Sequence, residues 1–188
     1  MNRKGVSVMP TGNIRIRRLS PNDFQHLAEI YCICFAGKPW FEVYQAEEVA
    51  DEIKEVYSWK DAVMVVAEVN DVVVGAAWSF SVWRKPDVMA LVNMHPIFPY
   101  ISEIFVSPEH QGQGIAKRMV DRLLDCLVDI RFGVVRTSVN QPIIIRMFEG
   151  FGWKIVATEN VVSNKCLNGV VQSAPDKRVI LAGRIPNS

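Results

Sequence analysis

Histidine and cysteine are scarce in this chain, with 3 and 4 among 188 residues, and no pair has metal-ligand spacing. No metal site is expected. Cys32 and Cys34 lie two apart on a predicted helix, so their side chains diverge. With Cys126 and Cys166 they make no disulfide framework, and the reading is of reduced thiols in a cytoplasmic protein. No apolar run approaches the ~18–20 residues that cross a membrane. Arg3 and Lys4 precede no apolar stretch, so no secretory signal is expected. The formal net charge of +1 gives no reason to expect nucleic acid, and no basic stripe with interleaved aromatics appears. Internal repeats and low-complexity segments are missing as well. What remains is an ordinary globular composition, 49% hydrophobic over 188 residues. It predicts a flexible tail over 1–11 and a single domain over 12–188.

Local pattern then gives an order of elements. Asn13 to Arg18 reads as a strand, and Ser20-Pro21-Asn22-Asp23 opens a helix through about Phe35. A second helix is predicted from Gln45 to Tyr57. Strands over 61–69 and 72–81 flank Asn70-Asp71, a two-residue hairpin signal. The β-branched run Ile101 to Val106 stops at Ser107-Pro108, and a turn follows that carries Gly112 and Gly114. Ile115, Met119, Val120, Leu123, Leu124, Leu127 and Val128 then recur at the spacing of one buried helix face. Gly133 to Asn140 reads as another strand. Gln141-Pro142 opens a helix with Pro at its first position, and Gly150-Phe151-Gly152-Trp153 ends it before a further strand.

A strand, a glycine turn and a helix N-terminus can hold a diphosphate, because the first N–H groups of a helix have no partner inside it. Lys117 and Arg118 sit in the first turn of that helix and Asp125 and Asp129 towards its end, against the macrodipole. A polyanion near 112–116 would reverse the sign of that penalty. Two solvated cations would cost only a few tenths of a kcal/mol, about the same as any exposed charge at a helix end. Two familiar glycine loops do not fit. No Gly-x-x-x-x-Gly-Lys-Ser/Thr run exists, and Lys117 stands where a dinucleotide fingerprint needs its third glycine.

What fits is Gln111-Gly112-Gln113-Gly114-Ile115-Ala116, which reads Gln/Arg-x-x-Gly-x-Gly/Ala after Val106-Ser107-Pro108-Glu109. This resembles motif A of the GNAT superfamily of acyl-CoA-dependent N-acyltransferases. The block from Asn140 to Trp153 resembles the family's motif B, Asn-x-x-Ala-x-x-x-Tyr-x-x-x-Gly-Phe, with Gly152-Trp153 for Gly-Phe. Phe148 occupies the usual Tyr position. Asn140 lies one residue further from it than usual, so Gln141 takes the Asn role. The resemblance spans about residues 12 to 185, and Pro39-Trp40 between the first two helices agrees with it.

The resemblance implies an α/β (α+β) fold: one GNAT-type domain, a mixed sheet of about six to seven strands and about four helices. The sheet is expected to splay between the strands at 101–106 and 133–139. It implies acetyl-CoA as cosubstrate, no metal, a small-molecule or peptide amine as partner, no nucleic acid or membrane partner, and possible homodimers. The diphosphate would rest on Gln111, Gly112, Gln113, Gly114, Ile115, Ala116 and Lys117. Ile104, Phe105 and Val106 would pair with pantetheine, and a backbone N–H there would polarise the thioester carbonyl. Asn140, Gln141 and Phe148 would complete the cofactor site.

For proton handling, Tyr100 and Ser102 would share a sheet face with Ile104, where some relatives place a catalytic residue. Glu103 is the nearest carboxylate but points to the opposite face by strand alternation, and it reads equally as a structural or substrate-binding residue or as a catalytic base. Phe148 has no proton to give, although a thiolate of pKa near 8–9 leaves tolerably without an acid. His95, in the loop before the strand, is within reach of the site but reads more readily as a surface histidine, and His110 reads as a turn residue or ligand contact. The acceptor would meet Trp40, Trp78, Phe80 and Tyr100, together with the 83–100 segment that holds Trp83, Arg84 and Lys85. That mixture suits an anionic or aromatic amine, and Trp78 and Phe80 also suit a core. Two functions stay open: an N-acetyltransferase acting on a primary amine, or a catalytically silent acyl-CoA-binding sensor or interaction module. Phe148 and the lack of an obvious base fit the second, and the cradle fits both.

Overall fold

A computed structural model describes residues 12–185 apart from 168, so the tail expected at 1–11 lies outside the described residues. Seven strands form one sheet in the order β1-β2-β3-β4-β5-β7-β6. β1 (Ile14–Arg18), β2 (Val63–Val69), β3 (Val72–Ser81) and β4 (Pro99–Val106) pair with one another antiparallel in chain order. β5 (Phe132–Ser138) lies parallel to β4, and β7 (Val170–Arg184) and β6 (Lys154–Leu167) close the far edge as a long antiparallel hairpin. The β2–β3 turn has positive φ at both Asn70 and Asp71, 52° and 65°. That pair of angles is the mark of the hairpin turn that matches strand twist.

Helices cover both faces. α1 (Phe24–Ala36) and α2 (Ala46–Ser58) bury Leu27, Ile30, Tyr31, Val49 and Ile53 against Val66, Ala76, Trp78, Phe80 and Phe105. α4 (Ile115–Asp125) and α5 (Pro142–Gly150) bury Ile115, Met119, Leu123 and Phe148 against Val65, Ala77, Ile101 and Val106. Consecutive residues of β2, Val65 and Val66, belong to opposite cores, as the two-residue strand period requires.

The structure adds one helix and corrects one expectation. A fifth helix, α3 (Pro86–Val92), lies inside the 83–100 segment. Pro86 starts it and Asn93, left-handed at φ 45°, ends it, but seven residues hold too little periodicity to be seen. α4 also stops at Asp125, before Val128, which is 70% exposed instead of joining the buried face. Asp129 at φ 63° turns the chain away from the helix axis.

The sheet is pinned beside the site by Trp153. Gly133 of β5 and Gly183 of β7 are register partners, and the Trp153 indole covers both. Its Nε1–H donates to the Arg184 carbonyl at 2.9 Å. β4 and β5 pair only at Tyr100↔Val134 and Ile101↔Val135. Past those residues the two strands part, and the splay expected from the sequence is present.

Candidate active site

The parting of β4 and β5 opens a cleft of about 1320 Å³ that runs from the start of α4 to the α1–α2 connection. At one end the chain leaves β4, makes a short turn and enters α4 through Gly114, left-handed at φ 76°. Gly112 has the same φ, and the space where either Cβ would stand is open to 4 Å. Two left-handed residues beside unpartnered helix N–H groups make a concave anion cradle. Gln111 closes this turn onto the strand, its Nε2–H donating to the Val106 carbonyl at 2.9 Å. The two cations have different surroundings. Arg118 donates to the Ile14 carbonyl at 2.9 Å, outside the cleft lining. Lys117 does line the cleft, lies 2.9 Å from Asp121 one turn on, and sits 5.0 Å above the Phe151 ring.

Along the middle, Ile104, Phe105 and Val106 line the cleft with Asn140 and Gln141 across from them. Beyond Ile101, β4 has no partner strand on its β5 side, which leaves an open strand edge. Cys34 of α1 donates to the Val106 carbonyl at 3.3 Å, and burial pushes its thiol up to about 11. Such a thiol stays protonated and inert.

Near the point of parting, strand alternation breaks. Glu103 is opposite Trp78 and Ile101 is opposite Ser79, so Ser102 has no partner on β3. This bulge corrects the expected faces: Tyr100 and Phe105 lie in the α1/α2 core, while Ile101 and Ile104 lie on the α4/α5 side. Glu103, two residues from Phe105, therefore shares the face of Tyr100.

Burial pushes the Glu103 carboxyl up to about 7, helped by Glu42 and opposed by Lys85, Ser102 and Arg178. Ser102 Oγ donates to Glu103 Oε1 at 3.4 Å. Tyr100 is buried and its phenol is pushed up to about 12, mainly by burial and against the nearby Arg136. Burial drives the Tyr31 and Tyr44 phenols still higher, and Tyr44 donates to Glu42 Oε2 at 2.6 Å.

The remaining expected residues are dispersed. Trp40 lines the cleft, with the Arg178 guanidinium 5.4 Å above its ring. Trp78 and Phe80 are core residues at 5% and 3% exposure, and Gln113 is likewise outside the lining. Phe148 is fully buried, 4.9 Å from Trp153, and does not reach the lining. Arg84 is held by Asp61 at 2.7 Å between Trp59 and Trp83, away from the cleft, whereas Lys85 faces it. His95 is exposed, and His110 lines the cradle with a buried Nδ1 that has no partner among the described residues.

Sequence reasoning missed Tyr31, Glu42, Tyr44, Arg136 and Arg178. For Arg136 the strand period was a usable signal, since Val134, Arg136 and Ser138 must share a face. Arg178 is brought in by a hairpin whose length the sequence did not announce. Among the described residues no group of three His, Cys, Asp or Glu side chains is placed to hold a metal.

The sequence model of the Acetyltransferase (GNAT) family matches residues 24–153. No curated protein sequence matches the chain. In structure the chain is similar to an N-acetyltransferase from Staphylococcus aureus Mu50, at TM-score 0.68 and 17% identity, covering 92% of this chain and 99% of that one. It is similar to a ribosomal-protein-alanine N-acetyltransferase from Brucella melitensis, at TM-score 0.69 and 14% identity, covering 90% and 99%. A putative acetyltransferase from Salmonella typhimurium, solved with its cofactor acetyl-CoA, matches at TM-score 0.64 and 17% identity, covering 93% and 95%.

Proposed function

The chain belongs to the GNAT acetyltransferase family, and from that premise we propose that it is an N-acetyltransferase, moving the acetyl group of acetyl-CoA directly to a primary amine of a small molecule or peptide. The observation that carries this reading is Glu103, a carboxyl held near neutrality where β4 and β5 part. A general base works best with a pKa near the working pH. That feature supports an active enzyme over a silent acyl-CoA-binding module.

The residues present fit acetyl-CoA. Open space above Gly112 and Gly114 suits a diphosphate on the N–H groups of the turn and of α4. The free side of β4 over 104–106 suits the amide-bearing pantetheine arm as an added strand edge. Bound there, acetyl-CoA supplies a thioester carbonyl carbon for attack and a thiolate leaving group of pKa near 8–9. Glu103 would take the proton that the acceptor ammonium must lose, leaving the nitrogen lone pair free, and the second nitrogen proton, released as the amide forms, would go to the departing thiolate. A β4 backbone N–H would polarise the thioester carbonyl of bound acetyl-CoA and stabilise the charge that builds on its oxygen. Tyr100, with its raised pKa, remains protonated and serves as a hydrogen-bond donor beside Glu103. Phe148, enclosed in the core, supports α5 by packing and moves no proton.

The test is a free-thiol release assay with acetyl-CoA and a panel of amines, polyamines, amino acids and peptides, run beside calorimetric titration of acetyl-CoA. Binding with turnover of at least one amine is expected. Binding without turnover across the panel returns the silent module, and no binding at all removes both readings.

A further inference from the structure

We propose that the acceptor amine also carries a carboxylate, and that Arg178, assisted by Lys85, holds this carboxylate while the amine faces Glu103. The proposal rests on the N-acetyltransferase reading and names its substrate class.

At the acceptor end of the cleft two cationic side chains, Arg178 and Lys85, line the same wall region as Glu42 and Glu103. Arg178 projects from β7 opposite Ser138, and its guanidinium is 20% exposed. Its Nε lies 3.4 Å from Asp176 Oδ2 and its Nη2 lies 4.0 Å from Glu42 Oε1, both beyond good hydrogen-bond length. The buried Nε has no hydrogen-bond partner among the described residues. A guanidinium carries five N–H donors in a planar fork that matches a carboxylate. Here that fork lines a cleft over Trp40, ion-paired at long range with Asp176 and Glu42 but with no hydrogen bond from its Nε.

Lys85 lines the same cleft, half-buried, and has no salt bridge among the described residues. Arg136 differs, because its Nη1 already holds Asp87 at 2.7 Å and Glu159 at 3.0 Å. The two carboxylates on the acceptor side are partly used: Glu42 takes the Tyr44 hydroxyl and Glu103 takes Ser102. A diamine would bring a second cation towards Arg178 and Lys85. An amino-carboxylate brings an anion to those donors and its ammonium to Glu103. Phe35 and Trp40, 5.6 Å apart, leave an aromatic wall for an apolar side chain.

The experiment measures acetyl transfer to each of the twenty common L-amino acids, to their amides and to the corresponding decarboxylated amines. Acetyl-CoA affinity is titrated separately. For the best amino acid, kcat/KM is expected to exceed that of its amide by about tenfold to a hundredfold, the worth of a hydrogen-bonded charge, mostly through KM. Arg178→Gln should erase that preference with acetyl-CoA affinity unchanged, and Arg178→Lys should keep part of it. Lys85→Gln gives a second reading in the same direction. Acetyl-CoA binding with alkylamines or diamines used as well as amino acids would overturn the proposal and leave the N-acetyltransferase reading standing. So would a loss in Arg178→Gln that is equal for acid and amide. Failure to bind acetyl-CoA removes the parent reading and this one with it.

Discussion

Glu103 is matched to Trp78 across the β3–β4 ladder, whereas Ile101 is matched to Ser79, and the single residue between them changes the chemistry of the site. An unbroken strand would have placed Tyr100 with Ile104 and turned Glu103 to the far side. The bulge at Ser102 puts the carboxyl and Tyr100 on one face, within the cleft. A desolvated carboxyl at that point is a candidate base.

The rate constant kcat/KM for an amine is expected to rise with pH through about 7 as Glu103 loses its proton. Glu103→Gln should flatten that limb and lower kcat by about 10²-fold or more, the usual worth of a positioned base. A pH profile unchanged in the variant would remove Glu103 from the base role.

The same carboxyl affects stability with a defined sign. Its folded pKa, about 7, lies above the unfolded value, so the folded state holds the proton more tightly. The resulting penalty is absent below the unfolded pKa near 4.3, grows between the two values, and is complete above the folded one. Glu103→Gln should therefore gain stability relative to the parent at pH 8.5 but not at pH 4. Denaturant midpoints at the two pH values decide it, and an equal shift at both would contradict the assignment.

Gly114→Val is expected to weaken acetyl-CoA binding at least tenfold. Its φ of 76° costs a side-chain-bearing residue about 1–2 kcal/mol, and a branched side chain would fill the open space of the cradle. Calorimetry of acetyl-CoA reads the effect; an affinity within twofold of the parent would separate the turn from the diphosphate.

Gly183→Ala should destabilise the fold, because its Cβ would come 2.5 Å from Trp153 Cδ1 and 2.8 Å from Trp153 Cα. Overpacking of this kind costs about 1–3 kcal/mol. Gly150→Ala is the control, since a Cβ there meets nothing within 4 Å. Equal thermal midpoints for the two variants would mean that Trp153 yields freely.

Phe148→Tyr should cost about 1–3 kcal/mol, because a hydroxyl on a fully buried ring needs a partner. Turnover is expected to stay at the parent level. Unchanged stability together with a rise in turnover would show that the ring edge reaches the leaving group.

Much of this protein is determined by sequence acting over short distances. Asn70-Asp71 set the hairpin, Gly112 and Gly114 set the cradle, and Pro142 set the start of α5, because each depends on the φ that a few residues can adopt. The spacing of Ile115, Met119 and Leu123 fixed the buried face of α4 for the same reason. Those local rules sufficed to name the family and to place the glycine turn at one end of the cleft.

Tertiary structure decided the other end. The bulge at Ser102 arises from how β4 pairs with β3, and it reverses a face assignment that alternation alone gets wrong. Arg178 and Glu42 are 136 positions apart in the chain and meet only because the β6–β7 hairpin approaches the α1–α2 connection. Burial, unpaired donors and shifted acidity depend on which distant surfaces close over a residue, so the glycine turn was legible in sequence and the surroundings of Glu103 and Arg178 were not.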